Sequence, residues 1–529
     1  MRDNQYPGRS VVMAAGAMVA TSQPMATAAA LRILGRGGNA MDAAIAASAT
    51  LCVTEPLSTG IGGDCFLLFH EAATGKLHAL NGSGRAPGRA SPDALRAHNM
   101  TTIPERGILS VSVPGAVDAW QSAVERFGSF DFGALLEPAI GYAENGFVVT
   151  PVIAGGWNKH AQLFRQSSDS ARSFLVDGRA PMAGSVHFFP DLARSLRLIA
   201  EHGKDAFYRG PLAEEIIRFS HEHNGLLELD DLANHRSEWV EPVSSEYRGL
   251  TVCEAPPNSQ GITALMTLNI LEQAGIEGLQ QLGPAHIHIV TEAFKLAQAE
   301  GARHIADPAF SDVPVQALLS RQFAQQQFAR IDPASAMPSR VLPGLPEHRD
   351  TVYLTVVDKD RNIVSFINSL YHPGGSGMVA GSTGILLQNR GACFVLDEHH
   401  GNCIAPGKRP MHTIIPAMAY RAGKPVLSFG VMGGSYQPLG QASVISNWLD
   451  FGMDIQEAID APRFHVENGA LVVERPVPQA TRRALSRLGH QVVEAETPIG
   501  GAQAILIDWK RGVLHGASDA RKDGCALGY

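Results

Sequence analysis

The chain has little charge and no excess of positive charge. Of its 529 residues 18% are charged, and 51 acidic against 43 basic side chains leave a formal net charge of −8. Globular proteins carry about 25% charged residues. A general nucleic-acid or acidic-membrane binder needs a basic footprint, which this composition lacks. Since 45% of the residues are hydrophobic, the chain is not a disordered one either. We therefore expect a folded protein with no nucleic-acid partner.

Cysteine and metal-binding patterns are sparse as well. None of the six cysteines forms a Cys-x-x-Cys pair, which in so long a chain indicates reduced thiols of a cytosolic protein rather than a disulfide framework. His288 and Glu292 stand one helical turn apart and could ligate a metal, as could His399, His400 and Cys403. An ordinary helix face and a solvated loop explain these groups better. We expect no metal and no other cofactor.

Long hydrophobic runs and common hydrolase motifs are missing too. Residues 11–31 carry no charge, but the polar and proline residues 21–24 interrupt them, so we expect no membrane span. A secretory signal ending near Ala28 fits the same pattern and stays open at this point. The sequence has no Gly-x-Ser-x-Gly and no His-Glu-x-x-His. An α/β-hydrolase or a zinc protease therefore loses its main support.

The N-terminal part of the chain predicts a strand followed by two helices. Residues 18–21 form the strand, and Ser22 caps a helix over residues 26–34. Asn39 caps a second helix of small residues, 40–53, which suits tight packing.

The middle of the chain predicts mainly helix. Residues 108–300 read as helical with breaks near Pro114, Gly155 and Gly184, and residues 285–300 form a strong helix.

The character of the chain changes sharply at residue 351. Four prolines fall within residues 331–350, which excludes a helix or a central strand there. β-branched and aromatic residues then fill 351–357, and a turn separates them from a second strand over 363–368. This pattern is typical of a hairpin. Overall we predict a mixed α/β fold with a β-rich C-terminal third.

Thr351 opens this hairpin directly after the proline-rich segment. A threonine hydroxyl is a poor nucleophile unless a base lies beside it. If the chain were cut before Thr351, its own α-amine would supply that base, because a free amine titrates near about 8 rather than the about 10 of lysine. A β-branched residue that merely begins a strand is the simpler explanation from the residues alone.

Motifs along nearly the whole chain resemble the γ-glutamyltranspeptidase family. They begin with Met18-Val19-Ala20-Thr21-Ser22 and Gly37-Gly38-Asn39-Ala40-Met41-Asp42-Ala43-Ala44. The others follow in the family's order: Gly60–Gly63, Arg85-Ala86-Pro87, Ser112-Val113-Pro114-Gly115, Thr351–Asp360, Gly407-Lys408-Arg409-Pro410, Gly433-Gly434-Ser435 and Arg521-Lys522-Asp523-Gly524.

The resemblance implies a four-layer αββα sandwich of the N-terminal-nucleophile hydrolases. Members cut themselves before a threonine, here between Asp350 and Thr351, so residues 1–350 become a large chain and residues 351–529 a small chain. Thr351 would then be the nucleophile and, through its α-amine, the general base. Gly433 and Gly434 match the glycine pair whose N–H groups form the oxyanion hole, and Ser369 matches a threonine whose hydroxyl supports the nucleophile.

The same match bears on the N-terminal run. Residues 11–31 contain the family's own first strand and helix, and cleavage at Ala28 would remove part of the fold. We therefore expect a cytoplasmic protein rather than a secreted one.

The residues that hold a γ-glutamyl group differ from the family pattern. Ser83 stands where the family has the arginine that binds the α-carboxylate, and Cys393 where it has the aspartate that binds the α-ammonium. Paired serines become His412 and Thr413, and an asparagine becomes Tyr371. Loss of buried polar partners usually costs orders of magnitude in discrimination. We therefore expect a substrate other than glutathione.

A small acid amide without an α-ammonium would suit these changes. Its carboxylate still needs a cation, for which Arg85 and His412 are the candidates. The differences resemble those of a transpeptidase-like subgroup that includes oxamate amidohydrolase, which converts oxamate to oxalate and ammonia in purine and allantoin breakdown.

Three alternatives remain at this point. Two are enzymes, a glutathione hydrolase or γ-glutamyltransferase and a cephalosporin acylase; the third is an uncleaved binding protein that kept the fold. The partners expected are a small amide substrate and the two chains of one precursor, and a homodimer of processed heterodimers is compatible with them.

Overall fold

A computed structural model describes residues 8–338 and 351–529. Its strands are β1 (Val12–Ala14), β2 (Met18–Thr21), β3 (Asp64–Glu71), β4 (Lys76–Gly82), β5 (Phe147–Val148), β6 (Val186–His187), β7 (Glu238–Val240), β8 (Val243–Tyr247), β9 (Leu250–Glu254), β10 (Val352–Val357), β11 (Ile363–Ser369), β12 (Ala417–Arg421), β13 (Lys424–Met432), β14 (Phe464–Glu467), β15 (Ala470–Val473), β16 (Val492–Glu494), β17 (Gly501–Asp508), β18 (Val513–Ser518) and β19 (Cys525–Gly528).

The α-helices of the described residues lie between these strands. They are α1 (Pro24–Gly35), α2 (Ala40–Thr54), α3 (Pro92–Ala97), α4 (Ala116–Phe127), α5 (Phe132–Asn145), α6 (Pro151–Phe164), α7 (Ser168–Phe174), α8 (Pro190–His202), α9 (Asp205–Tyr208), α10 (Pro211–Glu222), α11 (Leu229–Ala233), α12 (Gly261–Glu272), α13 (Pro284–His304), α14 (Val315–Leu318), α15 (Arg321–Phe328), α16 (Gln437–Leu449), α17 (Ile455–Asp460) and α18 (Gln479–Arg487).

Two seven-stranded antiparallel sheets form the centre of the molecule. The first has the order β1-β18-β17-β13-β12-β9-β8 and the second the order β19-β2-β10-β11-β3-β4-β7. The layer between them includes Phe66, Tyr353 and Ile367 from the second sheet, and Ala255 and Met432 from the first sheet and its margin. Because each inner face is covered by the other sheet, both sheets are buried on this side.

Helices cover the outer face of each sheet. One apolar core joins the second sheet to α1, α2, α4, α5 and α8. A separate core joins the first sheet to α12, α13 and α16. Helix, sheet, sheet and helix thus stack in four layers, and the expected αββα sandwich is confirmed.

Helix α2 is completely buried in the helical layer and consists largely of small residues, which allow close packing. Every one of its residues is buried, and Ala, Ser and Thr dominate it. Asn39 caps the helix as predicted, and Asp42 completes a capping box by accepting the backbone N–H of Asn39. The predicted cap of α1 is wrong by one residue. Gln23 caps that helix, because the side chain of Ser22 is turned to Glu55.

The hairpin predicted after residue 350 is present. Strands β10 and β11 pair antiparallel, with Val352 opposite Asn368 and Val357 opposite Ile363. They lie in the middle of their sheet, between β2 and β3. The segment 339–350, and with it Asp350, lies outside the described residues.

The expectation for residues 108–300 is partly wrong. Strands β8 and β9 belong to the first sheet, and β7 to the second. Gly155 lies inside α6 and does not break it, whereas Gly184 does adopt a positive φ of 82° in a loop. Short strands such as β8 contain Ser and Glu because one side of them is partly exposed, so their pattern is weak. In the described parts of the chain no helix combines the length and apolar character that a bilayer span requires.

Candidate active site

Thr351 lies at the start of β10 with its side chain held against Ser369. Only 1% of Thr351 is exposed, and its Oγ1 is 3.1 Å from Ser369 Oγ. Ser369 is the last residue of β11, so the hairpin register itself brings the two hydroxyls together. A hydroxyl at this distance can hold Thr351 Oγ1 in position through a hydrogen bond.

The backbone beyond Ser369 is fixed to the same hydroxyl. The N–H of Tyr371 donates to Ser369 Oγ at 2.9 Å. Tyr371 has a φ of 83°, an uncommon conformation for a bulky residue, and strained residues of this kind cluster at functional sites. The residue is buried, with 3% of it exposed.

Gly433 and Gly434 form the turn between β13 and α16. Their φ angles are 134° and 58°, which favour glycine, and a Cβ on Gly433 would lie 3.2 Å from Gly500 Cα. Gln260 Nε2 donates to the carbonyl of Gly434 at 3.0 Å and to that of Thr413 at 2.6 Å. The turn is therefore held in one orientation, as a fixed pair of N–H donors requires.

Asp64 and His412 form a buried pair near this turn. His412 Nε2 lies 3.0 Å from Asp64 Oδ2, and both side chains are fully buried. Burial and the charge of Arg390 lower the pKa of His412. Burial by itself would raise the pKa of Asp64, but the hydrogen bond and charge of His412 and the charge of Arg390 leave it below its ordinary value. A neutral His412 thus donates to an ionised Asp64.

The other oxygen of Asp64 is also fully engaged. Asp64 Oδ1 accepts the N–H of Gly84 at 2.9 Å, the N–H of Gly115 at 3.2 Å and Gln388 Nε2 at 2.9 Å. This carboxylate holds three segments together, which leaves little capacity to bind a substrate ammonium.

Both predicted cations are bound to other groups of the protein. Arg85 donates to Glu238 at 2.7 Å and to the carbonyl of Gly407 at 3.0 Å, with 29% of its side chain exposed. His412 Nε2 is hydrogen-bonded to Asp64 Oδ2. Their predicted role in binding the substrate carboxylate stays a prediction.

Ser83 and Thr413 are bound into the walls of the site. Ser83 is fully buried, and its Oγ accepts Asn258 Nδ2 at 3.1 Å. Thr413 Oγ1 accepts Arg390 Nη1 at 2.8 Å. Cys393 is buried on the same side, with its Sγ 3.8 Å from Arg390 Nη1.

Arg390 is the residue that the sequence reasoning missed. It is fully buried, and its guanidinium lies over the ring of Tyr371, 4.3 Å from the ring centre. Nothing in the local sequence marks Arg390, because polar residues 388 and 389 precede it and a charged side chain in such a segment is ordinarily exposed.

A cavity of about 780 Å³ opens next to these residues. Tyr371, His372, Ala392 and Phe394 line its inner wall, and Met100, Ile103, Glu105, Arg96, Thr101, Thr102, Val395, Leu396 and Asp397 complete it. Binding sites for small molecules are apolar clefts of similar size with a few polar groups. Tyr371, whose backbone N–H is bound to Ser369 Oγ, is thus part of the cavity wall.

The group of His288 and Glu292 gains a third member, His490. One ligand atom of each lies within 4.8 Å of the others, and all three residues are buried. However, Lys295 Nζ lies 2.7 Å from Glu292 Oε1, and His288 uses both ring nitrogens, toward His490 and the carbonyl of Asp332. The group therefore connects α13 to the segment at residue 332 through hydrogen bonds. The nearby charge of Lys295 makes the group unfavourable as a site for a metal cation.

Comparison with known proteins identifies the family. The family model for Gamma-glutamyltranspeptidase matches residues 26–529. The chain belongs to the γ-glutamyltranspeptidase family.

Relatives within this family carry different names. A Glutathione hydrolase-like YwrD proenzyme of Bacillus subtilis is 41% identical over 97% of this chain and 98% of its own. An Oxamate amidohydrolase proenzyme of Klebsiella pneumoniae is 36% identical over 97% and 98%. The solved cephalosporin acylase of Bacillus halodurans is 42% identical, with a TM-score of 0.93 over 99% of this chain and 98% of that one.

These findings give the enzyme class. The γ-glutamyltranspeptidase family consists of self-processing N-terminal-nucleophile hydrolases that act on amides, and this chain is an enzyme of that kind. Its relatives are proenzymes, which implies that the chain is the precursor of a large and a small chain.

Proposed function

We propose that the chain cuts itself between Asp350 and Thr351 and that Thr351 then hydrolyses the amide of a small carboxylic acid, with oxamate as the first candidate. The observation that carries the proposal is the site around Thr351 and Ser369, whose hydroxyls lie 3.1 Å apart beside a site that offers no ammonium clamp. Cys393 stands where the family has its aspartate, and Asp64 is saturated by its own partners. A γ-glutamyl substrate would meet neither the family's aspartate nor a free oxygen of Asp64 at its ammonium.

The reaction proceeds through an ester on Thr351. After cleavage, the free α-amine takes the proton of Thr351 Oγ1 as this oxygen adds to the amide carbonyl. The N–H groups of Gly433 and Gly434 stabilise the negative charge on the carbonyl oxygen. The C–N bond then breaks, and the protonated amine gives its proton to the departing ammonia. Water adds to the ester with the amine as base, and the free acid and the Thr351 hydroxyl are restored.

An acylase of larger amides is the second candidate. The cavity of about 780 Å³ against Tyr371 is much larger than oxamate requires, and it could hold a bulky acyl or amine portion. The likeness to the Bacillus halodurans cephalosporin acylase supports the same reading.

The test compares three substrates on the processed protein. Denaturing electrophoresis and N-terminal sequencing of the smaller fragment come first, and we expect Thr351 as its first residue. Ammonia release from oxamate is then measured beside turnover of γ-glutamyl-p-nitroanilide and of an N-acylated 7-aminocephalosporanic acid. A preference for the γ-glutamyl compound would overturn the proposal, and a preference for the cephalosporin would select the second candidate. A stable intact chain with no amide hydrolysis would favour a binding protein.

A further inference from the structure

Arg390 is a buried cation with three of its five N–H donors unused. The residue is fully buried, and neither Nε nor Nη2 has a hydrogen-bond partner among the residues that the structure describes. Buried polar groups are nearly always paired, so each exception requires an explanation. A buried charge without a partner is costly. Such a group is therefore expected to meet its partner when the protein works.

The two unpartnered nitrogens lie on the same edge of the guanidinium. The N–H of Nε and one N–H of Nη2 point the same way and form the fork that accepts a carboxylate through two parallel hydrogen bonds. Nη1, on the other edge, is already used by Thr413 Oγ1 at 2.8 Å and by the sulfur of Cys393 at 3.8 Å. The side chain is thus fixed at one edge and available at the other.

In the part of the chain that the structure describes, no carboxylate is hydrogen-bonded to Arg390. Burial raises the pKa of the Cys393 thiol and of the Tyr371 hydroxyl, so both stay neutral. Asp64 is ionised, but its oxygens are taken by Gly84, Gly115, Gln388 and His412. Among the described residues, Thr413 and Cys393 are the only hydrogen-bond partners of Arg390.

Arg390 is connected through its neighbours to both parts of the proposed catalytic site. Its guanidinium covers the ring of Tyr371, whose N–H is bound to Ser369 Oγ, and Ser369 contacts Thr351. On the other side it holds Thr413, whose carbonyl shares Gln260 with the carbonyl of Gly434. A group bound at Arg390 would therefore contact the residues that hold Ser369 and the Gly433–Gly434 turn in place.

We propose that the Nε–Nη2 edge of Arg390 binds the carboxylate of the substrate, and that the substrates are amides whose acyl portion carries a carboxylate without an adjacent ammonium. The inference rests on the proposed amide hydrolysis at Thr351. It assigns to Arg390 the role that Arg85 and His412 were expected to have. Binding at Arg390 requires Tyr371 and the loop 388–393 to admit the acid, since the guanidinium itself is closed to solvent.

The experiment uses processed wild-type protein and two matched series of amides. One series is oxamate, malonamate, succinamate and glutaramate; the other has the same lengths with a methyl group in place of the carboxylate. We expect the wild type to prefer the acid amides by about 100-fold or more in kcat/KM, as for a charge-assisted, two-bond contact. The preferred chain length then reports the spacing between Arg390 and Thr351.

Variants at Arg390 test the residue itself. In Arg390→Gln the preference for acid amides should fall to within about tenfold, and in Arg390→Lys it should be intermediate, because lysine keeps the charge but lacks the planar fork. Competitive inhibition by oxalate should weaken by the same factor as the preference. Self-cleavage into two chains shows that each variant is folded, and Arg390→Lys carries the test if Arg390→Gln does not process.

Two control variants complete the design. Arg89→Gln removes an exposed ion pair with Glu228 and should leave the preference unchanged. Arg85→Gln tests the competing cation. The inference is overturned if the wild type prefers uncharged amides, if Arg390→Gln keeps the preference, or if Arg85→Gln loses it instead. If processed wild type hydrolyses neither series, the proposed function itself fails, which is a different result.

Discussion

At the scale of single residues, the proposed chemistry depends on a few oxygen atoms whose positions are set by backbone register. Thr351 and Ser369 face each other because β10 and β11 pair in one register. A substitution can remove either hydroxyl by itself, so the proposed roles of Thr351 as nucleophile and of Ser369 as its support can be tested separately.

Replacement of Thr351 by alanine should abolish both self-cleavage and amide hydrolysis, since the attacking oxygen is lost. Thr351→Ser keeps the oxygen and should retain both in reduced measure. Electrophoresis and ammonia release measure the two activities on the same sample. Turnover by purified Thr351→Ala would contradict the assignment of the nucleophile.

Removal of the Ser369 hydroxyl should lower kcat more than it raises KM. In Ser369→Ala the Oγ1 of Thr351 loses a fixed neighbour, and misplacement of a reacting atom costs about 100-fold in rate. Ser369→Thr restores a hydroxyl and should recover most of kcat. Steady-state kinetics of the wild type and the two variants measure kcat and KM. An equal loss of kcat in Ser369→Ala and Ser369→Thr would indicate that Ser369 acts through packing instead.

The residue scale is also where sequence reasoning reached its limit. Thr351, Ser369 and the glycine pair could be named from motifs, because their spacing along the chain is a property of the sequence. Arg390 could not be assigned a role in this way. Its importance follows from burial and from two unpartnered nitrogens, which arise only when the loop 388–393, the ring of Tyr371 and Thr413 come together in space.

At the scale of secondary-structure elements, the turn between β10 and β11 also anchors a helix. Asp358 accepts the N–H groups of Asp360 and Asn362, each at 2.9 Å, and the N–H of Ala40 at the start of α2 at 3.0 Å. One carboxylate therefore joins the hairpin that carries Thr351 to the helix packed against it.

Asp358→Ala should lower the free energy of unfolding by about 2–4 kcal/mol, because several N–H groups lose their acceptor and one of them is buried. The matched control is Asp360→Ala, whose exposed carboxylate contacts only Lys359 and whose loss should cost less than about 0.5 kcal/mol. Urea unfolding of both variants measures the difference. Equal values would show that the tie to α2 contributes nothing.

Elements with strong local signals were predictable, and those that depend on distant partners were not. The cap at Asn39 and the β10–β11 hairpin follow from side chains close in sequence. Strands β8 and β9 have no such signal. They exist because β12, more than 150 residues later, offers an edge for β9 to pair with.

At the scale of the whole molecule, burial of histidine makes the fold sensitive to acid. Burial lowers the pKa of His235 and of His286 to about 4, whereas an unfolded histidine titrates near about 6.5. Between these values the unfolded chain binds more protons than the folded one. Stability is therefore complete above pH 6.5 and falls as the pH drops toward 4.

Each of these histidines should lower the free energy of unfolding by up to about 3 kcal/mol as the pH falls over that range. His235 suits the test, because neither ring nitrogen has a hydrogen-bond partner within residues 8–338 and 351–529 and the ring stacks on Tyr208. His235→Phe keeps the ring and should flatten the dependence of unfolding on pH, while the exposed His202→Gln should not alter it. Thermal unfolding between pH 4.5 and 8 provides the measurement, and an unchanged slope in His235→Phe would refute the explanation.

The order of strands determines how the two proposed chains are held together after cleavage. Each sheet contains strands from before and from after position 351, and strands of the two groups pair with each other. In one sheet β18 and β12 pair with β1 and β9; in the other, β19 and β10 pair with β2, and β11 with β3. Cleavage at position 351 would therefore yield two chains that share both sheets, rather than two subunits that meet only at a surface. An isotopically labelled small chain mixed with unlabelled processed enzyme should not exchange on the timescale of days, and exchange should begin only under conditions that unfold both sheets at once.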